Sequence, residues 1–394
     1  MPRKKAEPKA PAKKDNPFNF FNKIKTGNEV ADTNVKVETK EFVDMGCYSL
    51  NAVASGDIYK GFPNNKIFMV AGEQQVGKTY LAIHGFCKPL QDLGYFIYYV
   101  DTEGSVDEEM LMSFGLKKEQ FKIIPEEVVE EVRFSLTAIL NTLEETMEGG
   151  VNPHKCAFVL DSQGQLDTLK SREDSTKRVV KADLTLQKEL KKMYKNVTGR
   201  MAKMDIPYFV TNHVYADNMS FIPKTIVSGG QGGLYAASVI LHLRKKQYKE
   251  GKIRKGTIIT AKIYKSRWCR EGKEASFYLN FEKGLNKYYG LHEFAIEADL
   301  IEKWNKDKFE KKGVPSPEKP GNFNWYVIKD PKKDLSDWIV CKENQIPEEN
   351  TIGTILDEIN DWVKQNFKLL RPMDFEYDSE GDEENLSVEE VIES

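Results

Sequence analysis

Apolar runs of strand length alternate with longer amphipathic stretches through the middle of the chain. The runs 66–72 (KIFMVAG), 95–101 (YFIYYVD), 155–161 (KCAFVLD), 207–213 (PYFVTNH), 237–244 (ASVILHLR) and 256–265 (GTIITAKIYK) are rich in β-branched and aromatic residues. Each is bounded by polar residues, which predicts buried strands. Between them, 78–93, 126–147 and 173–203 have helical length and spacing. This alternation predicts an α/β fold with a mostly parallel central sheet flanked by helices. No helix separates the last two strands, so that pair is expected to be antiparallel. No internal repeat is visible.

Outside this stretch the pattern changes. Residues 1–45 begin with Lys, Pro and Ala and are expected to be disordered, with an aromatic cluster (Phe18, Phe20, Phe21) that clasps its own domain or docks on a neighbouring subunit. Residues 46–300 form the expected core. A Pro/Gly/Lys-rich linker (312–321) lies within 301–373, which reads as a small C-terminal subdomain with an amphipathic helix around Ile352–Phe367.

Charge adds one feature. The 394 residues carry 58 Lys+Arg and 61 Asp+Glu, a formal charge of -3. From Asp374 to Ser394, however, there are ten acidic residues and no basic one, and without them the charge is +7. A moderately basic body with an acidic, disordered tail fits a polyanion-binding surface and a segment that competes for it; solubilising disorder is the plainer reading. There is no run of about 18 apolar residues, which excludes a membrane-spanning helix. The basic N-terminus lacks an apolar signal core, so secretion is not expected. Five scattered cysteines, Cys47, Cys87, Cys156, Cys269 and Cys341, never form CxxC, which argues against a disulfide framework or a structural zinc site.

The strongest chemical signal is Gly72-Glu73-Gln74-Gln75-Val76-Gly77-Lys78-Thr79, a complete G-x-x-x-x-G-K-[ST] between a buried strand and a helix. Such a loop turns its N–H groups around phosphates, and the helix beginning near Lys78 adds the positive end of its dipole. Lys78, expected at a solvent-facing junction, bridges the β- and γ-phosphates of a bound nucleotide, and Thr79 offers a hydroxyl to Mg²⁺. Asp161, ending KCAFVLD, is the candidate second metal carboxylate. Asp101 and Glu103 end another strand on the same side, and either can serve as general base toward water.

Several ordered motifs resemble the RecA-like strand-exchange recombinases, in their T4-type bacteriophage form, over about residues 50–330. They are Lys60-Gly61-Phe62-Pro63, the phosphate loop, Asp101-Thr102-Glu103, Val159-Leu160-Asp161-Ser162, Thr211-Asn212-His213-Val214-Tyr215, Ser228-Gly229-Gly230-Gln231-Gly232-Gly233 and Tyr264-Lys265-Ser266-Arg267. The resemblance implies a RecA-like P-loop ATPase with water activation by Glu103 and γ-phosphate sensing by His213. It further implies that Lys265 and Arg267 reach a neighbour's ATP. Met110 stands where relatives carry an adenine-stacking Tyr, while Asp107 keeps its place as adenine partner.

Two loops follow strands ending at the nucleotide. The first, about 163–176, contains Lys170 and Arg172; the second, about 215–233, contains Met219, Phe221, Lys224, Gly229 and Gly230. Cations around an apolar tip suit single-stranded DNA, with Lys and Arg on phosphates and Phe221 or Met219 between bases. The expected function is ATP-dependent pairing of single-stranded DNA with homologous duplex by a helical filament of this chain in the cytoplasm. A recombination mediator and a single-strand-binding protein are the implied partners, with no membrane. A RecA-fold ring helicase and a nucleotide-gated DNA-coating protein are the alternatives.

Overall fold

Ile67–Gly72 and Cys156–Asp161 are buried at every position. Uninterrupted apolar runs of this kind need cover on both faces, which only the interior of a helix-flanked sheet supplies. The computed structural model describes residues 41–148, 155–176, 185–217, 224–313 and 325–369. The aromatic cluster at Phe18–Phe21, Met219, Phe221 and the acidic tail lie outside the described residues.

Strands β1 (Phe42–Val43) and β2 (Phe62–Pro63) pair antiparallel around helix α1 (Tyr48–Ser55). Strand β3 (Ile67–Gly72) leads into one continuous helical segment: α2 (Lys78–Tyr80), a π turn (Leu81–Cys87) and α3 (Lys88–Asp92). Then come β4 (Phe96–Asp101), α4 (Glu108–Ser113), β5 (Phe121–Ile124), α5 (Val129–Glu148), β6 (Cys156–Asp161), α6 (Leu169–Thr176) and α7 (Thr185–Lys203). The chain continues through β7 (Tyr208–Asp217), β8 (Lys224–Val227), α8 (Gln231–Ala236), β9 (Val239–Glu250), β10 (Ile253–Ser266), β11 (Glu274–Asn280) and β12 (Gly284–Leu285). A C-terminal group holds α9 (Leu291–Glu297), β13 (Ile301–Trp304), α10 (Lys306–Lys312), β14 (Trp325–Ile328), β15 (Ile339–Cys341) and α11 (Leu356–Phe367).

The main sheet runs β12-β11-β10-β9-β3-β7-β6-β4-β5, with β8 hydrogen-bonded to β7. Strands β9, β3, β7, β6, β4 and β5 are parallel, and β9 to β12 form an antiparallel extension. Alternation along β3 divides the core. Phe68 and Val70 join α1 and the π turn on one face, while Ile67, Met69 and Ala71 join α5 and α7 on the other. Phe209 stacks on Phe68 at 5.6 Å and meets Phe86 at 5.1 Å, so the phosphate-loop helix is packed directly onto the sheet. Strands β13, β14 and β15 form a separate sheet. One face holds Trp304 and Val327 with Phe309; from the other, Ile301, Ile328 and Cys341 merge with α11 into the main core.

Two expected loops carry regular structure. The first contains α6, where the apolar-poor sequence LKSREDST gives no helical stripe to read. The second holds a paired hairpin among its described residues: β7 continues to Asp217 and pairs antiparallel with β8 from Val214↔Val227 to Asp217↔Lys224. Ladder hydrogen bonds carry β7 four residues beyond His213, where the apolar run read from the sequence ends.

Candidate functional site

Gly72 pairs in register with His213, and Asp101 with Asp161. Parallel pairing therefore carries the ends of β3, β4, β6 and β7 to one sheet edge, the place where open α/β sheets bind ligands.

Between β3 and α2 the backbone turns through Gln75 and Gly77, both at positive φ (57° and 97°). The Lys78 ammonium donates to the carbonyls of Gly72 (3.0 Å) and Glu73 (2.8 Å). Lys78 is 7 % exposed, not solvent-facing, because the loop folds its own carbonyls around the amine. Burial lowers its pKa, opposed by the charges of Asp161 and Glu103. Lys245 of β9 donates to the Gln74 carbonyl at 2.7 Å and braces the loop from outside. No motif marked Lys245; a place two residues beyond Leu243, the partner of Gly72, is a property of register alone. Lys78→Ala is expected to weaken ATP binding by about tenfold or more, the worth of a charge-assisted bond, and to abolish DNA-stimulated turnover. Isothermal titration with ATP checks the first effect and a steady-state ATPase assay the second.

Asp161 is the hub of the site. One carboxylate oxygen accepts from the Thr79 and Tyr99 hydroxyls, each at 2.7 Å, and the other accepts from the Thr211 hydroxyl. Burial and the neighbouring Asp161 charge hold the Tyr99 phenol well above its ordinary pKa, so it remains a donor. Thr79 and Asp161 thus present adjacent hard oxygen donors beside the phosphate loop, a donor set that suits Mg²⁺. Tyr99 carries no sequence signal and reads as an ordinary strand position; Thr211 opens the Thr211–Tyr215 motif, but nothing in the sequence pairs it with Asp161.

The geometry separates Asp101 from Glu103. Asp101 is buried, and its two oxygens accept from the backbone N–H groups of Glu103 (3.1 Å) and Val106 (2.9 Å). It shapes the turn after β4. The Thr102 hydroxyl accepts from the Ser162 N–H and donates to the Ser162 carbonyl, at 2.8 and 2.9 Å, fastening β4 to β6. Glu103 Oε1 accepts from the Ser162 hydroxyl at 2.9 Å and lies 3.1 Å from His213 Nε2. His213 Nε2 is also 3.1 Å from Ser162 Oγ. With its proton on Nε2, His213 donates into this triangle, leaving Glu103 as its acceptor carboxylate.

Against the outer side of the loop lies a cleft of about 480 Å³ between Val76, Gly77, Ile259 and Leu279, rimmed by Lys245 and Phe281. The Arg254 guanidinium sits 5.0 Å over the Phe281 ring and donates to the Thr257 hydroxyl at 3.0 Å. Asp107 does not line this cleft. It caps α4, accepting from the Met110 N–H at 2.7 Å.

Lys170 and Arg172 project from α6 rather than from an open loop, and Arg172 pairs with Glu127 at 2.6 Å. Lys224 opens β8; Gly229 and Gly230 follow its end, both at positive φ. Lys265 and Arg267 are not brought to this chain's phosphate loop. Lys265 stands opposite Ile240, level with Met69, whereas Gly72 is level with Leu243. Three residues of strand separate those levels, on the order of 10 Å toward the opposite sheet edge. Lys265 donates to the carbonyls of Leu234 (2.6 Å) and Tyr235 (3.1 Å) in α8. Burial, and then the Arg267 charge, lowers its pKa; burial, and then the same guanidinium, also depresses Lys66.

No family model matches the chain. Among curated proteins it is 25% identical over 267 residues to the recombination and repair protein of Enterobacteria phage T4, covering 67% of this chain and 66% of that protein. It is 23% identical over 271 residues to protein RecA of Thermotoga petrophila, covering 68% and 71% respectively. With protein RecA of Mycoplasma mycoides the figures are 24% over 290 residues, 71% and 77%. The T4 match thus spans just under two thirds of the phage protein. Sheet order, phosphate loop and these matches agree in what the chain is similar to: the RecA-like recombinases.

Proposed function

We propose that this protein is an ATP-dependent recombinase that forms helical filaments on single-stranded DNA and pairs it with homologous duplex. The supporting observation is the Glu103–Ser162–His213 triangle beside the phosphate loop, formed at the end of the strand that becomes the β7–β8 hairpin. Nucleotide chemistry and the DNA-facing hairpin share one strand, β7. The core runs from residue 46 to 300, and residues 301–373 form the C-terminal subdomain.

In this reading Gly72 to Thr79 cradle the triphosphate, with Lys78 turning from the loop carbonyls to the phosphates. Thr79 and Asp161 would hold Mg²⁺, which neutralises charge on the phosphate oxygens. Glu103 Oε1 accepts the proton of the attacking water. The base stacks in the cleft beside Phe281, whose ring supplies what Met110 lacks. Lys170, Arg172 and Lys224 hold DNA phosphates, and Met219 and Phe221 meet the bases. Mediator and single-strand-binding proteins would cooperate in the cytoplasm.

Electron microscopy with single-stranded DNA and a non-hydrolysable ATP analogue tests the assembly. Helical filaments, together with joint-molecule formation from homologous duplex, are expected; closed rings without pairing would sink the proposal. His213→Ala is expected to bind ATP yet lose the ATP-induced rise in DNA affinity. Fluorescence anisotropy with a labelled oligonucleotide checks this, and equal tightening in variant and parent defeats the sensor role.

A further inference from the structure

Gln163 follows Ser162 at the start of a 3-10 turn (Gln163–Gln165) and is 1% exposed. Both ends of its amide are in use. Oε1 accepts from the Tyr194 hydroxyl of α7, and Nε2 donates to the Ser228 carbonyl at 3.3 Å. That carbonyl also accepts from Asn212 Nδ2 at 2.9 Å, while the Ser228 N–H donates to the His213 carbonyl at 2.9 Å. Ser228 closes the β7–β8 hairpin. The glycine-rich run after it is seated on the same amide: a Cβ on Gly229 would stand 2.6 Å from Gln163 Nε2, and one on Gly233 2.6 Å from Gln163 Oε1. The close approach of a buried amide explains glycine at these two places.

We propose that Gln163 is a positioning residue that couples the nucleotide site to the DNA-binding hairpin. The inference rests on the recombinase reading and adds a residue to it. Ser162 touches both Glu103 and His213, and its chain neighbour is Gln163; His213's chain neighbour is Asn212. Two side-chain amides, each one peptide away from the Glu103–Ser162–His213 triangle, converge on one carbonyl oxygen of the hairpin exit. A displacement at the triangle therefore reaches Ser228–Gly229 by two short routes, one from β6 and one from β7. An amide is needed at 163 because the site demands a donor toward Ser228 and an acceptor toward Tyr194 at once. Buried, it is held to one arrangement by the cost of leaving either group unpaired.

The test uses the full-length chain and measures the affinity for a labelled oligo-dT strand with and without a non-hydrolysable ATP analogue. Gln163→Glu keeps the acceptor toward Tyr194 and removes the donor toward Ser228; Gln163→Met removes both at similar length. ATP binding is expected to be unchanged in both variants. The ATP-induced tightening on DNA is expected to fall about tenfold, the worth of one buried hydrogen bond. Tyr194→Phe, which leaves the Ser228 bond in place, is expected to lose less. Thermal melting identifies any variant that fails to fold, and Tyr194→Phe then carries the comparison. Affinity that falls equally with and without nucleotide assigns Gln163 a purely structural role and overturns the inference, as does tightening equal to the parent's. A parent that shows no ATP-induced tightening overturns the recombinase reading itself, and this inference with it.

Discussion

Glu103→Gln is expected to bind ATP and DNA like the parent while hydrolysing ATP about 10²- to 10⁴-fold more slowly, the usual contribution of a positioned general base. The side chain keeps its length, and its amide can still meet the Ser162 hydroxyl, so the local hydrogen bonds survive while the proton acceptor is lost. Asp101→Asn separates the two candidate carboxylates. Asp101 accepts from two backbone N–H groups in a buried turn. An amide oxygen replaces only one of its two acceptors, leaving a loss of about 1–3 kcal/mol. Its expected signature is a lowered melting temperature, whereas Glu103→Gln should melt like the parent. Single-turnover hydrolysis at the parental rate in Glu103→Gln would remove Glu103 from the mechanism.

The second large effect concerns the far edge of the sheet. Lys265 and Arg267 lie away from their own chain's phosphate loop, so any action on ATP has to cross to a neighbour. A cation supplied in trans to a γ-phosphate contributes about 10³- to 10⁵-fold to turnover. Lys265→Ala/Arg267→Ala is therefore expected to bind ATP and lose nearly all hydrolysis. Lys265 also caps the α8 carbonyls, so its removal carries a structural cost that Arg267→Ala alone avoids. Mixing the double variant with Lys78→Ala creates interfaces that pair intact cations with an intact phosphate loop. Part of the lost ATPase should return in the mixture. Co-assembly shown directly, with turnover absent at every mixing ratio, would end the trans assignment.

Much of this site was legible in the chain because its chemistry is local. The phosphate loop is a contiguous turn whose glycines, lysine and threonine must stand at set spacings between a strand and a helix. Apolar runs without polar alternation announced a sheet covered on both faces, and the missing helix after β9 announced the antiparallel pair. Strand ends could be read as well, which placed Asp101, Glu103, Asp161 and His213 at the sheet edge of the phosphate loop before any pairing was known.

What adjacency in space decides had no local signature. Asp101 and Glu103 are equivalent by strand alternation; only the backbone N–H groups that occupy Asp101, against the Ser162 and His213 contacts of Glu103, tell them apart. Tyr99 and Thr211 become partners of Asp161 through parallel register, and Lys245 reaches the loop because β9 lies beside β3. The pairing of β7 with β8 had no local signature, since it depends on ladder hydrogen bonds that join residues on the two sides of the second loop. Spacing and hydrophobic period determined which residues belong to the fold and to the phosphate loop. Which groups meet around that loop was decided by hydrogen bonds between residues 50 to 171 positions apart, because a side chain's chemistry depends on what faces it after the sheet has closed.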